Sequence, residues 1–457
     1  MPEWRTRVAL VGAGPGRPDL ITVRGREWIG RADVILYDRL VDPRLLEWAR
    51  ADCRKVFVGK ECGRHTLEQA EIIRLMLEEA AQGRLVVRLK GGDPCVFGRG
   101  GEEAEALARA GLPIEIVPGV SAGIGVAAYA GVPLTHREVS SAVVLTTGRE
   151  AGLSRGETRV IYMAGKDPGA ALADLPPETP AIVVSAGTRP GQRSVVTTVA
   201  RLAEVALESP VLVIVGEVVL RRTEWFESRP LFGKKILVPR SREHAGKLAA
   251  VLDEAGAEPV EFTPASFDPT GDAAAALRDL HRFPAIHLGD PPSAELFMAQ
   301  VRDARRLAGK HITAAGHFTA STLERLGIAP DSVGSPSQGP VLWIGPGEIP
   351  DGLEAVRATL YREVPRVEER ERILPIEVAG VAFPSSNSAR RTVELFGAGY
   401  LRKLPLFSMG PETSAEIRRQ GLDVAAEAEP STFEGLVDVI VRHFAERKTR
   451  CRASSIS

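Results

Sequence analysis

Cysteine is scarce in this chain, and the thiols that it has are far apart. Four cysteines occur among 457 residues, at Cys53, Cys62, Cys95 and Cys451. They lack the close paired spacing of zinc and redox motifs, and so few thiols in so long a chain do not form a disulfide scaffold. A reducing compartment is therefore expected, and we predict a cytoplasmic protein.

A surplus of charge and long hydrophobic runs are also missing. The formal charge is −1 at pH 7, so the chain has no general attraction for nucleic acid or an anionic membrane, and a polyanionic ligand would need local basic patches. No apolar run reaches the roughly 18 residues of a membrane span. The charged N-terminal residues Glu3, Arg5 and Arg7 lead directly into a predicted strand. We therefore expect neither secretion, nor a membrane partner, nor a nucleic-acid partner.

The first half of the chain alternates short apolar runs with helical patterns, which is typical of an α/β sheet. The predicted strands are 8–11, 33–37 and 85–89, followed in a second lobe from about Pro118 by 142–147, 159–163, 181–184 and 211–215. Ligands bind beyond the carboxyl ends of parallel strands, and clefts between lobes are common binding sites. A ligand is therefore expected between these two lobes.

The segment 84–103 has the composition of a ligand-binding loop. Its apolar run ends at Gly91 and Gly92, Asp93 precedes a proline, and two further glycines open a helix. Paired glycines let a ligand approach the backbone, and Asp93 can accept hydrogen bonds from hydroxyl or amine groups. A tight structural connection is the alternative. Ligand binding is favoured by the basic residues around the loop, which are Arg88, Lys90 and Arg99.

A domain boundary is predicted within the polar segment 227–235, because a new strand pattern begins at Ile236.

Beyond this boundary the chain contains two segments with the same internal spacing of residues. They are Gly316-His-Phe-Thr319 with Gly327, and Gly410-Pro-Glu-Thr413 with Gly421. This weak repeat predicts two similar α/β lobes. From Lys448 the chain is polar and without periodicity, so an irregular tail is predicted.

The motif Gly12-x-Gly14-Pro15-Gly16 follows a predicted strand, as a dinucleotide-binding loop would, but Arg17 stands where the third glycine is required. Pro15 also lacks the N–H that a pyrophosphate site would use. Further motifs follow in order: Ala32-Asp-Val-Ile-Leu-Tyr-Asp-Arg-Leu-Val41, Gly59-Lys60 with His65 and Gln69, the loop after Gly91, Val117-Pro-Gly-Val-Ser-Ala122, Ala128-Tyr-Ala-Gly-Val-Pro-Leu-Thr-His-Arg137 and Ser209-Pro-Val-Leu-Val-Ile-Val-Gly-Glu-Val-Val219.

Together these motifs, from about Val8 to Phe226, resemble the S-adenosylmethionine-dependent uroporphyrinogen-III C-methyltransferases of the tetrapyrrole methylase family. S-adenosylmethionine has no phosphate, which agrees with the proline in the first loop. The resemblance implies a two-lobed α/β fold with S-adenosylmethionine as methyl donor. It places cofactor contacts on Pro15, Gly91, Gly92, Asp93, Val96, Ser121, Ala122, Met163 and Gly187. Taken singly, Met163 could be a core residue and Ser121 a helix cap.

The same resemblance implies catalytic roles for Asp38 and Lys60. Asp38 would be the general base for the proton lost from the macrocycle, and Lys60 would be an acid or would pair with a substrate carboxylate. Surface charges are the alternative for both residues. Because arginine binds carboxylates in a bidentate geometry, substrate contacts are expected from Arg24, Arg39, Arg99 and Arg137, besides Lys60. The chain departs from the family pattern at Cys95 and Arg149, which would alter substrate contacts.

The second half, from Lys235 to about Phe444, resembles uroporphyrinogen-III synthase. The matching pieces are Ile236-Leu-Val-Pro-Arg-Ser-Arg242, Thr319–Gly327, Leu360-Tyr-Arg362, Phe383–Ser388, Gly410–Ser414 and Ser431–Leu436. That family closes hydroxymethylbilane with inversion of its last ring and loss of water, without a cofactor or metal. The resemblance implies Tyr361 as an acid for the leaving hydroxyl, with a buried structural tyrosine as the alternative. Donors to substrate carboxylates, or alternatively helix caps, would be Ser385, Ser386, Asn387, Ser388 and Thr413.

The sequence thus predicts a bifunctional α/β enzyme that makes uroporphyrinogen III and methylates it at C2 and C7 to precorrin-2. The predicted domains are a methyltransferase at 1–228 with lobes 1–117 and 118–228, a synthase at 229–446 with one lobe of 235–262 plus 375–444 and another of 263–374, and a tail at 447–457. The family resemblance implies a homodimer formed by the methyltransferase half.

Two alternatives remain open at this point. One is another precorrin methyltransferase, because the cofactor motifs are shared within the superfamily. The other is a methyltransferase fused to a module that only binds tetrapyrroles. The unusual segments Ile286–Ser293 and Gly345–Glu348 leave room for such a non-catalytic second half.

Overall fold

The computed structural model of the chain describes residues 6–59, 68–147, 158–164, 172–206, 208–239, 246–270, 277–336 and 339–454, with side chains as far as residue 446. Lys60 and Arg149 lie outside the described residues. By internal contacts the chain divides into two compact units, residues 1–234 with 255–258 and residues 235–254 with 259–457.

The first lobe of the N-terminal unit is a parallel five-stranded sheet of order β3-β2-β4-β1-β5. Its strands are β1 Val8–Gly12, β2 Val34–Tyr37, β3 Arg54–Phe57, β4 Val86–Lys90 and β5 Ile114–Val117, and its helices are α1 Val23–Arg31, α2 Gln69–Ala81 and α3 Gly100–Arg109. Strands β1 and β4 are buried along their whole length, as expected where helices cover both faces of a sheet. The three predicted strands are confirmed.

The second lobe of the same unit is a mixed sheet of order β6-β7-β10-β8-β9. Its elements are α4 Ala122–Tyr129, β6 Val143–Thr147, β7 Thr158–Tyr162, β8 Pro180–Ser185, β9 Arg193–Thr198 and β10 Val211–Val215. Strands β6 and β7 are parallel, whereas β10 is antiparallel to both β7 and β8. The predicted α/β class is confirmed, with a sheet that is not purely parallel.

The C-terminal unit contains two further five-stranded sheets, of order β12-β11-β20-β21-β22 and β16-β15-β14-β17-β18, and a ribbon of β13 and β19. The strands are β11 Lys235–Pro239, β12 Glu258–Phe262, β13 Ala265–Pro269, β14 Ala285–Leu288, β15 His311–Ala314, β16 Ser332–Val333, β17 Val341–Ile344, β18 Ala355–Ala358, β19 Tyr361–Pro365, β20 Gly380–Phe383, β21 Leu406–Ser408 and β22 Ala426–Glu427. The helices are α5 Lys247–Glu254, α6 Pro291–Val301, α7 His317–Arg325, α8 Val367–Ile373, α9 Ser386–Phe396, α10 Ala398–Leu401, α11 Pro411–Arg419 and α12 Phe433–Ser454.

The weak sequence repeat marks equivalent parts of these two lobes. Helix α7 follows β15 and begins after Gly316, and α11 follows β21 and begins after Gly410. Shortly after each helix ends, Gly327 and Gly421 have φ of +85° and +71°, which is the left-handed conformation that glycine adopts at helix ends. The shared glycine spacing therefore records one strand–helix unit used twice.

The predicted tail is helical as far as Ser454, because α12 continues through that residue. The helix starts on buried apolar positions such as Leu436 and Ile440, and extending an existing helix costs far less than starting one. The polar sequence after Lys448 is compatible with helix even though it lacks an apolar stripe. Among the described residues, no helix has the length and apolar character needed to cross a membrane.

A buried histidine lies on the central strand of the second sheet. His287 is paired in register with Trp343 of β17, and their rings lie 3.9 Å apart between centroids. Burial lowers the pKa of His287 to about 4, and its Nδ1 has no hydrogen-bond partner among the described residues. The folded protein therefore holds this imidazole in its neutral form at neutral pH.

We expect His287→Phe to make stability less sensitive to acid. The pKa of His287 is about 4 in the folded protein and about 6.5 in the unfolded chain. The free energy of unfolding therefore has its full value above about pH 6.5 and falls as the pH drops towards 4, by up to about 3 kcal/mol. Phenylalanine keeps the ring but does not titrate. Urea unfolding at about pH 7 and about pH 4.5 measures the difference.

The exposed His281 of the same lobe provides the control, because His281→Phe makes the same substitution at a histidine that is not buried. Equal acid sensitivity of wild type and His287→Phe would contradict the conclusion that His287 is buried in its neutral form.

Candidate active-site cleft

A cleft of about 1010 Å³ lies between the two lobes of the N-terminal unit. The loops that follow β1, β2 and β4 line one side, and α4 with the ends of β7, β8 and β10 line the other. Its lining includes every residue that the sequence assigned to the cofactor: Pro15, Gly91, Gly92, Asp93, Val96, Ser121, Ala122, Met163 and Gly187. Residues separated by more than half of this unit's sequence thus come together in one place.

Glycines allow three backbone segments to meet at the floor of the cleft. Gly14 and Gly92 exchange backbone hydrogen bonds of 3.2 and 2.7 Å. A Cβ on Gly119 would lie 2.2 Å from the carbonyl oxygen of Gly92, and one on Gly12 would lie 2.5 Å from the Cα of Gly119. Side chains are therefore excluded here, and the backbone itself forms the surface that a ligand would contact.

Asp93 organises the loop as well as facing the cleft. Its Oδ1 accepts a 2.8 Å hydrogen bond from the N–H of Cys95, and its Oδ2 accepts a 3.1 Å bond from the N–H of Gly119. Each carboxylate oxygen can accept more than one bond. Asp93 can therefore hold the loop and still accept from a ligand hydroxyl or amine.

Several non-glycine residues in the cleft have left-handed backbone conformations. Phe97, Arg99, Met163 and Ala186 have φ between +49° and +56°, and all line the cleft. Such strain is common at functional sites, where the surrounding structure imposes it. Met163 is 61% exposed, so the alternative of a core methionine does not apply.

Sequence reasoning missed Tyr162, which also lines the cleft. Its hydroxyl accepts a 2.7 Å hydrogen bond from the N–H of Gly123 and is paired at 2.6 Å with the hydroxyl of Ser121. Tyr162 therefore caps α4, and Ser121 does not cap it through its side chain. A tyrosine next to the motif residue Met163 was the available signal.

Asp38 lies just beyond the carboxyl end of β2 and faces the cleft. Its Oδ2 accepts a 3.1 Å hydrogen bond from Nη2 of Arg88. Its Oδ1 is buried and has no partner among the described residues. The structure thus holds one oxygen of this carboxylate on Arg88 and buries the other without a partner.

Arg88 and Lys90 on β4 are buried cations beneath the cleft, and both contact Glu103 of α3. Burial, followed by the charge of Arg88, lowers the pKa of Lys90. The sequence indicated both residues as basic neighbours of a ligand-binding loop but assigned neither a specific role. The signal for them was two cations within an otherwise apolar strand, since charges are buried only when they are paired.

The arginines predicted to bind substrate separate into two groups. Arg39 and Arg99 line the cleft, and so does Arg189, which sequence reasoning missed and which donates a 3.1 Å bond to the carbonyl of Leu40. Arg24 does not line the cleft and instead forms two hydrogen bonds of 2.7 and 2.8 Å with Glu115. Arg137 is exposed and is also absent from the lining.

In the C-terminal unit, the predicted synthase residues have structural partners. Ser385 and Ser388 form a capping box at the start of α9, which is the helix-cap alternative, while Asn387 is exposed next to Ser386. Thr413 is buried in the first turn of α11. Helices α9 and α11 follow the adjacent strands β20 and β21, so their N-termini lie at the same edge of the sheet.

Tyr361 is buried at the start of β19, and its hydroxyl donates to the carboxylate of Asp290. Asp290 is also the N-cap of α6. Burial, with the charge of Asp290, raises the pKa of Tyr361 above its usual value. A phenol that is harder to ionise and is already bonded to a carboxylate is a weaker acid than a free tyrosine.

A glycine-floored cleft between two α/β lobes, lined by a carboxylate and several cations, is typical of an α/β enzyme that binds a small molecule. Residues 7–203 match the model of the tetrapyrrole (corrin/porphyrin) methylases, and residues 348–438 match that of uroporphyrinogen-III synthase. The chain belongs to the tetrapyrrole methylase family and carries a uroporphyrinogen-III synthase region in its C-terminal part.

Individual proteins show the extent of the similarity. Porphyrin biosynthesis protein HemD of Ruminiclostridium josui is 38% identical over 353 residues, which cover 71% of this chain and 70% of the relative. Uroporphyrinogen-III C-methyltransferase of Bacillus subtilis is 37% identical over 71% of this chain and 74% of its own length. A solved structure of the Thermus thermophilus uroporphyrin-III C-methyltransferase, complexed with S-adenosyl homocysteine, is 39% identical over 47% of this chain and 99% of that chain, with a TM-score of 0.41.

We expect Gly119→Ala to destabilise the N-terminal unit. The added methyl would lie 2.2 Å from a backbone oxygen that cannot move away alone, and overpacking of this kind costs about 1–3 kcal/mol. Gly30→Ala in α1 is the matched control, because its nearest neighbour would be 3.8 Å away and alanine favours helix by about 0.5–1 kcal/mol. Urea unfolding distinguishes the two variants, and wild-type stability of Gly119→Ala would contradict the close crossing.

Proposed function

We propose that this chain catalyses two consecutive steps of tetrapyrrole synthesis. The C-terminal half cyclises hydroxymethylbilane to uroporphyrinogen III, and the N-terminal half methylates that product at C2 and C7 to give precorrin-2. The observation that carries the methyltransferase assignment is the convergence of all the expected cofactor residues on the cleft that contains Asp38. The relatives named for porphyrin biosynthesis and for C-methylation of uroporphyrinogen III support it.

The cleft suits S-adenosylmethionine as the methyl donor. Backbone at Gly91 and Gly92 would lie against the ligand, Asp93 would accept from its amine or ribose hydroxyls, and the exposed Met163 would contact it from the second lobe. When bound, this cofactor supplies an electrophilic methyl group. The protein must align that group with the substrate carbon, because in-line geometry determines the rate of displacement.

The remaining chemistry belongs to side chains of the cleft. The carboxylate of Asp38 would accept the proton lost from the macrocycle, while Arg88 holds it through Oδ2. Arg39, Arg99 and Arg189 would bind carboxylates of the substrate. Lys60, for which we retain the role of acid or carboxylate partner, lies outside the described residues.

For the synthase half, the adjacent N-termini of α9 and α11 offer backbone N–H groups to anions. Ser386, Asn387 and Thr413 would add side-chain donors there, since the hydroxyls of Ser385 and Ser388 already cap α9. Tyr361 would act as an acid only if its hydroxyl turned from Asp290, whose carboxylate accepts its hydrogen bond, towards the leaving hydroxyl. The chemistry requires no metal or cofactor from this half.

A second candidate is a methyltransferase joined to a module that only binds tetrapyrroles. The hydrogen bond from Tyr361 to Asp290 favours this candidate, because that bond removes the most obvious acid.

For either function we place the protein in a reducing cytoplasm, in keeping with its few, widely spaced cysteines. We also propose a homodimer through the methyltransferase half, which light scattering of the purified chain would test.

The purified chain should convert hydroxymethylbilane to the type III isomer and, on addition of S-adenosylmethionine, to a product with two added methyl groups. Isomer-resolving chromatography with mass spectrometry identifies both. If only the spontaneous type I isomer forms while added uroporphyrinogen III is methylated, the C-terminal half is a binding module. If uroporphyrinogen III is not methylated at all, the methyltransferase assignment is wrong.

We expect Asp38→Asn to lower kcat for methyl transfer by about 100-fold or more, which is the usual contribution of a general base. The amide can still accept from Arg88, so S-adenosylmethionine should bind with its wild-type dissociation constant in calorimetry. Asp42→Asn is the control, because Asp42 is a buried aspartate of the same loop that pairs with Arg44 and does not line the cleft. Full activity of Asp38→Asn would exclude Asp38 as the base.

A further inference from the structure

Two buried glutamates bind arginines or lysine at the two ends of the central strand β4. At the amino end, Glu79 of α2 accepts from Arg54 and from Arg84. At the carboxyl end, where the cleft lies, Glu103 of α3 accepts from Arg88 and Lys90. Both glutamates are buried, but the arginines of Glu79 are 57% and 40% exposed whereas the cations of Glu103 are 4% and 5% exposed. Only the second cluster contacts residues of the cleft.

The hydrogen bonding of Glu103 is unevenly divided between its oxygens. Its Oε1 accepts from Arg88 Nε at 3.3 Å, Lys90 Nζ at 2.8 Å and Gln69 Nε2 at 2.8 Å, whereas Oε2 is buried with no partner among the described residues. In Glu79 both oxygens have arginine partners. The side chain of Glu103 is fully buried, so water does not replace these contacts.

Through Arg88, Glu103 is connected to Asp38. The Nε of Arg88 bonds to Glu103, and its Nη2 bonds to Oδ2 of Asp38 at 3.1 Å. Arg88 is 3% exposed, and its Nη1 is bonded to the carbonyls of Leu36 and Leu89. The guanidinium is thus fixed by two carboxylates and two carbonyls.

We infer that Glu103 is a positioning residue for methyl transfer: it fixes Arg88, and Arg88 holds the carboxylate of Asp38 in place to accept the substrate proton. This inference rests on the proposed methyltransferase function. Glu103 also accepts a hydrogen bond from Gln69, the first residue of α2. Helix α2, which follows Lys60 in the sequence, therefore belongs to the same network. Glu103 itself is not in the cleft lining.

The charges in the network explain why replacing Glu103 would change the electrostatic environment of Asp38. Asp38 and Glu103 balance Arg88 and Lys90, and Arg39 and Glu68 are the further charged groups of this part of the cleft. Without the charge of Glu103, two buried cations face the single carboxylate of Asp38. Arg88 would then shift towards Asp38, and the carboxylate would be harder to protonate.

Glu103→Gln tests the inference in the full-length chain, with uroporphyrinogen III and S-adenosylmethionine as substrates. We expect kcat to fall about 10- to 100-fold, because small misplacements of a catalytic group have effects of this size. KM for the macrocycle should change little, and the acidic limb of the kcat profile should move to lower pH. In an Asp38→Asn background, Glu103→Gln should cause no further loss, because both changes act through the same group.

Glu79→Gln is the matched control, since it also removes a buried glutamate with two cationic partners beside β4. It should lower the thermal stability, though less than Glu103→Gln because its arginines are exposed to water, and leave kcat and the pH profile unchanged. A Glu103→Gln variant that loses stability like Glu79→Gln but keeps wild-type kcat and acidic limb would overturn the inference.

Arg88→Lys provides an independent test if Glu103→Gln does not fold. It keeps the buried charge but cannot bridge Glu103 and Asp38 as a planar guanidinium does, so the same loss of kcat is expected. Wild-type kcat for Arg88→Lys would contradict the positioning role. A wild-type chain that does not methylate uroporphyrinogen III would instead refute the proposed function, so the two failures are distinguishable.

Discussion

The N-terminal unit depends on the contact of three backbone segments at Gly12, Gly92 and Gly119. Parallel strands bring their carboxyl ends to one edge of a sheet, but side chains normally keep the following loops apart. Here the glycines remove those side chains, so the loops after β1, β4 and β5 touch directly. The backbone bonds between Gly14 and Gly92, and the bond from Gly119 to Asp93, then fix the loops in one arrangement.

Above this floor the main constraint is electrostatic. A cleft for a substrate rich in carboxylates needs positive charge, yet buried cations are unfavourable without partners. The chain meets both requirements by keeping Arg39, Arg99 and Arg189 at the surface of the cleft, and by pairing the buried Arg88 and Lys90 with carboxylates below it. The exposed pair of Arg99 and Glu102 is screened by water and can exchange partners with a ligand at low cost.

The sequence was most informative where local pattern determines structure. Apolar runs located β1, β2 and β4, and glycine spacing located the equivalent helices α7 and α11. It was least informative where a role depends on distant partners. Arg24 is engaged by Glu115 of β5, Tyr162 reaches back to α4, and Glu103 acts across three elements. No local pattern encodes such distances, so these residues could be recognised only once the fold had brought them together.

The two halves differ in how their chemistry is built. In the N-terminal half one oxygen of the candidate base Asp38 has no partner among the described residues, whereas in the C-terminal half Asp290 binds both the N-terminus of α6 and the hydroxyl of Tyr361. Cyclisation would then have to rely mainly on the shape of the substrate site and on backbone hydrogen-bond donors. Such a site can stabilise developing charge without a strong acid. Covalent linkage would still raise the local concentration of the cyclised product near the methyltransferase. A C-terminal half that only bound its tetrapyrrole would gain the same advantage, so the fusion itself does not distinguish catalysis from capture.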